Sequence, residues 1–331
     1  MNMLNPELQL SAKVFADDIL KKPTRDGFGA GVVEAGKQDA NVVVLCADLK
    51  ESTRAEEFEK AFPERFVEMG VAEQNMATVA AGMAAVGKIP FIASYAAFSP
   101  GRNYEQIRTT IALNDVPVKV CGMHAGISVG PDGATHQMLE DIALMRAMPN
   151  MTVIVPADAE EARKAVIAAA TSGTPVYLRF GRAGTPVFTT PETPFSIGKA
   201  LLLWDSKAPK VALLATGSLS YEALLAARAL EAEGIESVVL HIPTVKPLDV
   251  AAVVSAASRA GRVITIEEHQ VMGGFGSAVA ECLAEHHPVP MRFIGMHDEF
   301  GQSGEPQQLL THYKLDAPAI VDAARHLVRG A

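Results

Sequence analysis

Val42-Val43-Val44-Leu45 is an apolar run rich in β-branched side chains and too short for a helix, and it is the first of a series. Phe91-Ile92-Ala93, Val118-Lys119-Val120, Val153-Ile154-Val155 and Val176-Tyr177-Leu178 follow it along the chain. Between them lie stretches with apolar residues at helical spacing, among them Gln74 to Val86, Tyr104 to Leu113 and Ala159 to Ala170. Strands covered on both faces read as unbroken apolar runs, and the intervening helices carry the chain back across the sheet. The alternation therefore predicts an α/β fold with a mostly parallel sheet. It lapses after Gly184 into Thr185-Pro186-Val187-Phe188-Thr189-Thr190-Pro191-Glu192-Thr193-Pro194, which reads as an extended connection. A second series follows: Val211-Ala212-Leu213-Leu214, a helix from Tyr221 to Ala232, Val238-Val239-Leu240, a helix from Val250 to Ala260, and Val263-Ile264-Thr265-Ile266. The expected architecture is two doubly wound domains, each a mostly parallel sheet flanked by helices, at residues 1–187 and 198–331 with a linker at 188–197.

The bulk numbers agree with a globular protein of two cores: 331 residues, 49% hydrophobic and 20% charged. The net charge of −9 is spread without long runs, so neither nucleic acid nor an anionic membrane is an expected partner. An anionic substrate would need a local basic pocket. Cys46, Cys121 and Cys282 lack metal-type spacing and read as reduced core thiols. No run reaches the length of a membrane span, and Met1 to Lys21 lacks the basic and apolar regions of a secretory signal, so a cytoplasmic location is expected.

The polar residues concentrate in two places. In Gly70-Val71-Ala72-Glu73-Gln74-Asn75, Glu73 opens a helical run that Gly87 stops, so its carboxylate belongs near a helix N-terminus. The helix dipole alone favours an acid there by a few tenths to about 1 kcal/mol. A second run, Asp132-Gly133-Ala134-Thr135-His136-Gln137, follows within the same domain. The glycine clusters Gly27-Phe28-Gly29-Ala30-Gly31 and Gly273-Gly274-Phe275-Gly276 do not make a dinucleotide fingerprint: the first precedes its strand and the second is incomplete. They are expected to start helices in tight turns or to pack them closely on the sheet. Glu267, Glu268 and His269 end a strand and read as a solvated loop that could border a site, and Asp48 as a pocket wall or loop cap.

Five motifs in order along one chain carry a resemblance to a known family. They are Ala47-Asp48-Leu49, Gly70 to Asn75, Tyr95-Ala96-Ala97-Phe98, the loop from His124 to His136, and Arg179-Phe180-Gly181-Arg182. The chain resembles the C-terminal half of transketolases, enzymes that use thiamine diphosphate. The resemblance implies that Glu73 hydrogen-bonds the cofactor's pyrimidine ring nitrogen and is buried at a subunit interface. It implies that Phe98 stacks on the pyrimidine, with Tyr95 as a neighbouring wall, and that Asp132 and His136 meet the sugar hydroxyls, His136 also moving a proton. Arg25, Ser52, His124 and Arg182 match the residues that hold the sugar's terminal phosphate, a task for which arginine's planar fork is suited.

The family's metal and diphosphate motif, Gly-Asp-Gly, does not occur in the sequence. The resemblance therefore implies a split enzyme: no metal site on this chain, and a separate N-terminal transketolase subunit holding Mg2+ and the diphosphate. The two chains would share the cofactor in an α2β2 assembly acting on sugar phosphates. The expected reaction transfers a two-carbon ketol unit from a ketose phosphate to an aldose. Rival expectations are a 1-deoxyxylulose-5-phosphate synthase, a 2-oxo-acid dehydrogenase beta subunit, and a non-catalytic binding protein of the same fold.

Overall fold

The computed structural model describes residues 3–329. Its first half contains, in order, β1 (Lys21–Lys22), α1 (Thr24–Gln38), β2 (Val42–Cys46), α2 (Lys50–Thr53), α3 (Glu56–Ala61), β3 (Phe66–Glu68), α4 (Glu73–Ala85), β4 (Ile89–Tyr95), α5 (Tyr104–Gln106), β5 (Lys119–Met123), α6 (Asp141–Arg146), β6 (Thr152–Ile154), α7 (Ala159–Thr171), β7 (Val176–Arg179) and β8 (Thr185–Pro186). A π-helical turn, Ile107–Ala112, continues α5. The second half contains β9 (Leu201–Trp204), β10 (Val211–Ala215), α8 (Leu219–Ala232), β11 (Ser237–His241), β12 (Thr244–Lys246), α9 (Val250–Ala260), β13 (Val263–Gln270), α10 (Phe275–His286), β14 (Met291–Met296), α11 (Pro306–His312) and α12 (Ala317–Arg329).

The larger sheet has the order β12-β6-β7-β5-β4-β2-β3, and the smaller one β14-β13-β10-β11-β9. Within the larger sheet all neighbours are parallel except β12, which pairs antiparallel with β6. In the smaller sheet only β9 runs antiparallel. The apolar runs that announced β2, β5 and β7 are buried along their whole length, and each fully buried valine or leucine contributes about 1.5–3 kcal/mol.

The helix-bearing glycines do not act uniformly. Gly27 and Gly31 lie inside α1 on the face that meets α7, where an added Cβ at Gly27 would collide with the Ala159 carbonyl. They therefore allow close helix-to-helix packing rather than a tight turn or contact with the sheet. Gly273 adopts φ +73° and Gly274 is the N-cap of α10, so the second cluster does start a helix.

The two halves share structure in both directions. Although it follows the connection at 188–197, β12 completes the edge of the larger sheet. Leu8, Val14 and Ile19 pack with Leu203 and Trp204 in the core of the second half. The connection itself is tied down by buried Asp158, the N-cap of α7, whose carboxylate accepts from Phe188 N, Thr189 N and Thr189 Oγ1. Nearby, Glu161 Oε2 lies 2.7 Å from His241 Nε2, and His241 Nδ1 lies 2.7 Å from Ser220 Oγ. All three side chains are buried. These contacts tie α7 of the first half to the connection and to β11 and α8 of the second.

Candidate active site

Parallel strands gather polar loops at their C-terminal ends. β2 ends before Asp48 and Ser52, β4 at Tyr95, β5 before His124 and β7 before Arg182, and α4 begins with Glu73. Asp48 and His124 adopt left-handed backbone with φ +59° and +53°. The Asp48 amide donates to Glu68 Oε1 at 2.8 Å, so its role is to turn the loop.

Glu73 is 1% exposed at the first position of α4. Asn103 Nδ2 donates to its backbone carbonyl at 3.1 Å. Arg102 Nη1 donates to its Oε2 at 2.7 Å, and the same guanidinium sits 4.8 Å from the centre of the Phe98 ring. Phe98 in turn meets the edge of His136 at 5.6 Å and lies 6.0 Å from Tyr95. His136 Nδ1 is 2.8 Å from Thr135 Oγ1.

Tyr95 stacks on His124 with ring centres 4.0 Å apart, and its hydroxyl donates to Ser52 Oγ at 2.7 Å. Arg25 Nη1 donates to Ser52 O at 2.8 Å and lies 2.8 Å from His124 Nε2. Because arginine has no acceptor, His124 Nε2 must accept, which places the proton of the neutral ring on Nδ1. That nitrogen is buried and, among the described residues, has no hydrogen-bond partner. Burial, reinforced by Arg25 and Arg182, lowers the His124 pKa to about 3.

The structure thus joins Phe98, Tyr95, His136, His124, Ser52 and Arg25 in one continuous chain of contacts, to which Glu73 is linked through Arg102. Arg182 and Asp132 stand apart at its rim, where Arg182 Nη1 donates to Val129 O at 2.8 Å and lies 3.8 Å from Asp132 Oδ1. Tyr95 lies between the two groups: its ring stacks with Phe98 at 6.0 Å and with His124 at 4.0 Å, and its hydroxyl reaches Ser52.

Glu267, Glu268 and His269 are not a solvated loop. All three are buried in β13, since the second half closes over the loop that follows β5. Glu268 Oε1 accepts from Ser128 N at 2.6 Å. Gly126, with φ +92°, leaves the space that this carboxylate fills. Glu267 accepts from Phe275 N and Gly276 N at the start of α10, and burial pushes its carboxyl up to about 8 against those donors. Arg179 Nη2 donates to Glu268 O at 2.8 Å, and Arg179 Nε donates to Asp141 Oδ2 at 2.8 Å. Tyr177 donates to the same Asp141 oxygen at 2.6 Å. Sequence reasoning passed over Arg102, Asp141 and Tyr177 as site-forming residues. Arg102 carried no helical-spacing signal, because Pro100 and Gly101 interrupt any helix between it and Phe98.

The neutral histidines set an acid limit. Burial holds His124 at about 3 and His269 at about 4, against 6.5 for an ordinary histidine. Unfolding lets them take up protons, so the stability they supply is complete above pH 6.5 and is lost as pH falls toward 4. Each proton steepens the fall by about 1.4 kcal/mol per pH unit. Urea midpoints measured from pH 7 to 4.5 should drop, and His124→Asn should make the decline shallower. An unchanged slope in that variant would count against a buried neutral His124.

Residues 21–186 match the model of the transketolase pyrimidine-binding domain, and residues 198–320 that of the transketolase C-terminal domain. A solved structure described as a split-gene transketolase, inactive β4 tetramer, is 45% identical with a TM-score of 0.86, covering 93% of this chain and 98% of that one. A 6-deoxy-6-sulfo-D-fructose transketolase subunit of Clostridium sp. (strain MSTE9) is 40% identical, over 92% of this chain and 94% of that protein. An apulose-4-phosphate transketolase subunit of Phocaeicola vulgatus is 37% identical, over 92% of this chain and 97% of that protein.

Proposed function

The chain belongs to the transketolase family, and from that premise we propose that it is the C-terminal subunit of a two-chain, thiamine-diphosphate-dependent transketolase. On this reading it divides at 188–197 into a pyrimidine-binding domain and a C-terminal domain, and it works with an N-terminal subunit that holds the diphosphate and Mg2+ in an α2β2 assembly. The observation that carries the reading is the buried Glu73 carboxylate next to the Phe98 face, with the Arg25, Ser52 and His124 group one aromatic layer away.

The Glu73 and Phe98 pair fits the cofactor's pyrimidine. The ring requires a carboxylate to take a hydrogen bond from its nitrogen and an apolar face to stack on, and Glu73 already accepts from a planar N–H donor that lies over Phe98. When bound, thiamine diphosphate supplies a nucleophilic carbon that adds to the donor ketone and stores the transferred two-carbon unit. Glu73 keeps its charge out of water, where a hydrogen bond to the ring biases protonation more strongly than a solvated one would. Its partner role includes placing the cofactor between two chains, which assigns this face to a subunit interface.

His136 meets the Phe98 ring edge-on, in position to hold a sugar hydroxyl and to move the proton that leaves or joins it. Asp132, at the mouth, accepts from the remaining hydroxyls. Arg25, Arg182, Ser52 and the free Nδ1 proton of His124 take the anionic end of the sugar. Because His124 is neutral, it binds an anion as a hydrogen-bond donor, while the arginines supply the charge. Phosphate and sulfonate each present three oxygens around a tetrahedral centre, so one set of donors suits either. The similar subunits whose names specify a sulfosugar and a sugar phosphate make both classes the ones to assay.

The deciding experiment is co-purification with the N-terminal subunit, followed by ketol-transfer assays with each chain alone and with both. Donors are xylulose 5-phosphate, 6-deoxy-6-sulfofructose and pyruvate. Thiamine-dependent transfer only with both chains is expected. A competent single chain would refute the split arrangement, and turnover of pyruvate would favour the synthase or 2-oxo-acid dehydrogenase reading.

A further inference from the structure

Arg102 occupies a place that its sequence position does not announce. Its side chain is 46% exposed, yet one end reaches the 2%-exposed Glu73 carboxylate while its carbon centre lies 4.8 Å over Phe98. Among the described residues it is the only donor to that carboxylate. A guanidinium is a flat, delocalised cation with N–H donors in its plane and a π face on either side. A pyrimidine ring carrying a proton on its ring nitrogen has the same outline: an in-plane N–H, positive charge and a stacking face. Glu73 Oε2 and the Phe98 face cannot serve both at once.

We propose that Arg102 is a built-in surrogate ligand, which fills the Glu73 and Phe98 subsite of the cofactor-free protein and against which the cofactor's pyrimidine must compete. The inference rests on the reading of that subsite given under Proposed function. An isolated carboxylate in so dry a place is costly, and one hydrogen-bonded cation offsets the cost. Arg102 also leaves easily. Its outer half already touches water, and its long stem can turn the charged head outward without moving the backbone. The remaining support of Glu73 does not depend on it, because Asn103 Nδ2 holds the Glu73 carbonyl at 3.1 Å and is braced at 3.2 Å by Ser99 Oγ. The subsite is thus kept charged and open in shape until its planar ligand arrives. The arginine that keeps it also sets how tightly that ligand binds.

A competing occupant lowers apparent affinity by the fraction of molecules in which the subsite is free. If Arg102 holds the subsite nine times in ten, removing it raises cofactor affinity about tenfold. The test is calorimetric titration of thiamine diphosphate, at fixed Mg2+, into the assembled two-subunit protein carrying Arg102→Ala or Arg102→Gln. Melting of the cofactor-free complex is followed in parallel. Tighter binding in both variants, greater for Ala, together with a lower melting temperature without cofactor, is expected. Unchanged or weaker binding in either variant that assembles overturns the proposal, because it would make Arg102 either a bystander or a cofactor contact. Adding Phe98→Ala to Arg102→Ala separates this from failure of the underlying reading. With the competitor absent from both proteins, thiamine diphosphate binding as tightly to the double variant as to Arg102→Ala would mean that the subsite is not the pyrimidine site at all.

Discussion

Replacing Glu73 by Gln in the assembled enzyme is expected to lower turnover by about 10²- to 10⁴-fold, the range over which a positioned acid or base acts, while the Michaelis constant for the sugar changes little. On the proposed reading the carboxylate must favour a proton on the pyrimidine nitrogen. An amide can accept a hydrogen bond there but brings no negative charge. The dry setting is what gives the charge its leverage: at 1% exposure almost no water screens it. The substitution keeps the side chain's size, and the backbone remains tied through Asn103. Arg102, relieved of its partner, can turn to solvent, so the fold should survive. Steady-state kinetics with thermal melting as a folding control would decide the matter. Activity within a few-fold of wild type in a folded, cofactor-loaded complex would remove Glu73 from the chemistry.

The largest expected loss of stability comes from Asp141→Ala. This carboxylate is fully buried and accepts from Arg179 Nε at 2.8 Å and from the Tyr177 hydroxyl at 2.6 Å. Arg179 is itself 7% exposed and bridges to the Glu268 carbonyl in the other half. Removing one partner of a buried ion pair strands the other, at a cost of about 3–5 kcal/mol. Tyr177→Phe removes only one hydrogen bond to a charged group and should cost about 1.5–3 kcal/mol. Pairing Asp141→Leu with Arg179→Met removes both charges and should recover much of the loss. Urea unfolding monitored in both halves would measure all three. A cost below about 1 kcal/mol for Asp141→Ala would mean that water enters the pair and screens it.

The sequence disclosed what repeats locally and what sits next to its partner along the chain. Apolar runs such as Val42 to Leu45 fixed strands, because burial on both faces leaves an unmistakable pattern. Glu73 stood out as the acid that opens a helical run, whereas Tyr95, Phe98, His124 and His136 stood out through the resemblance their motifs carry. Asp141 and Arg179 did not stand out, being 38 residues apart, one at the start of α6 and the other at the end of β7. Glu268 was misread because its burial is imposed by a loop 140 residues earlier. Thr244-Val245-Lys246, enclosed between Pro243 and Pro247, is too short to register as a strand by pattern alone.

That three-residue strand bears on how the protein could be taken apart. Cutting the chain in the 188–197 connection would deprive the first piece of β12 and leave β6 as a bare border with free amides and carbonyls. Leu8, Val14 and Ile19 would at the same time lose the apolar bed formed with Leu203 and Trp204. Such a fragment offers both a strand-pairing template and loose greasy segments, the combination that drives chains to clump. The two halves therefore look divisible by sequence but should be soluble only when made as one piece, or when the second half is supplied in trans.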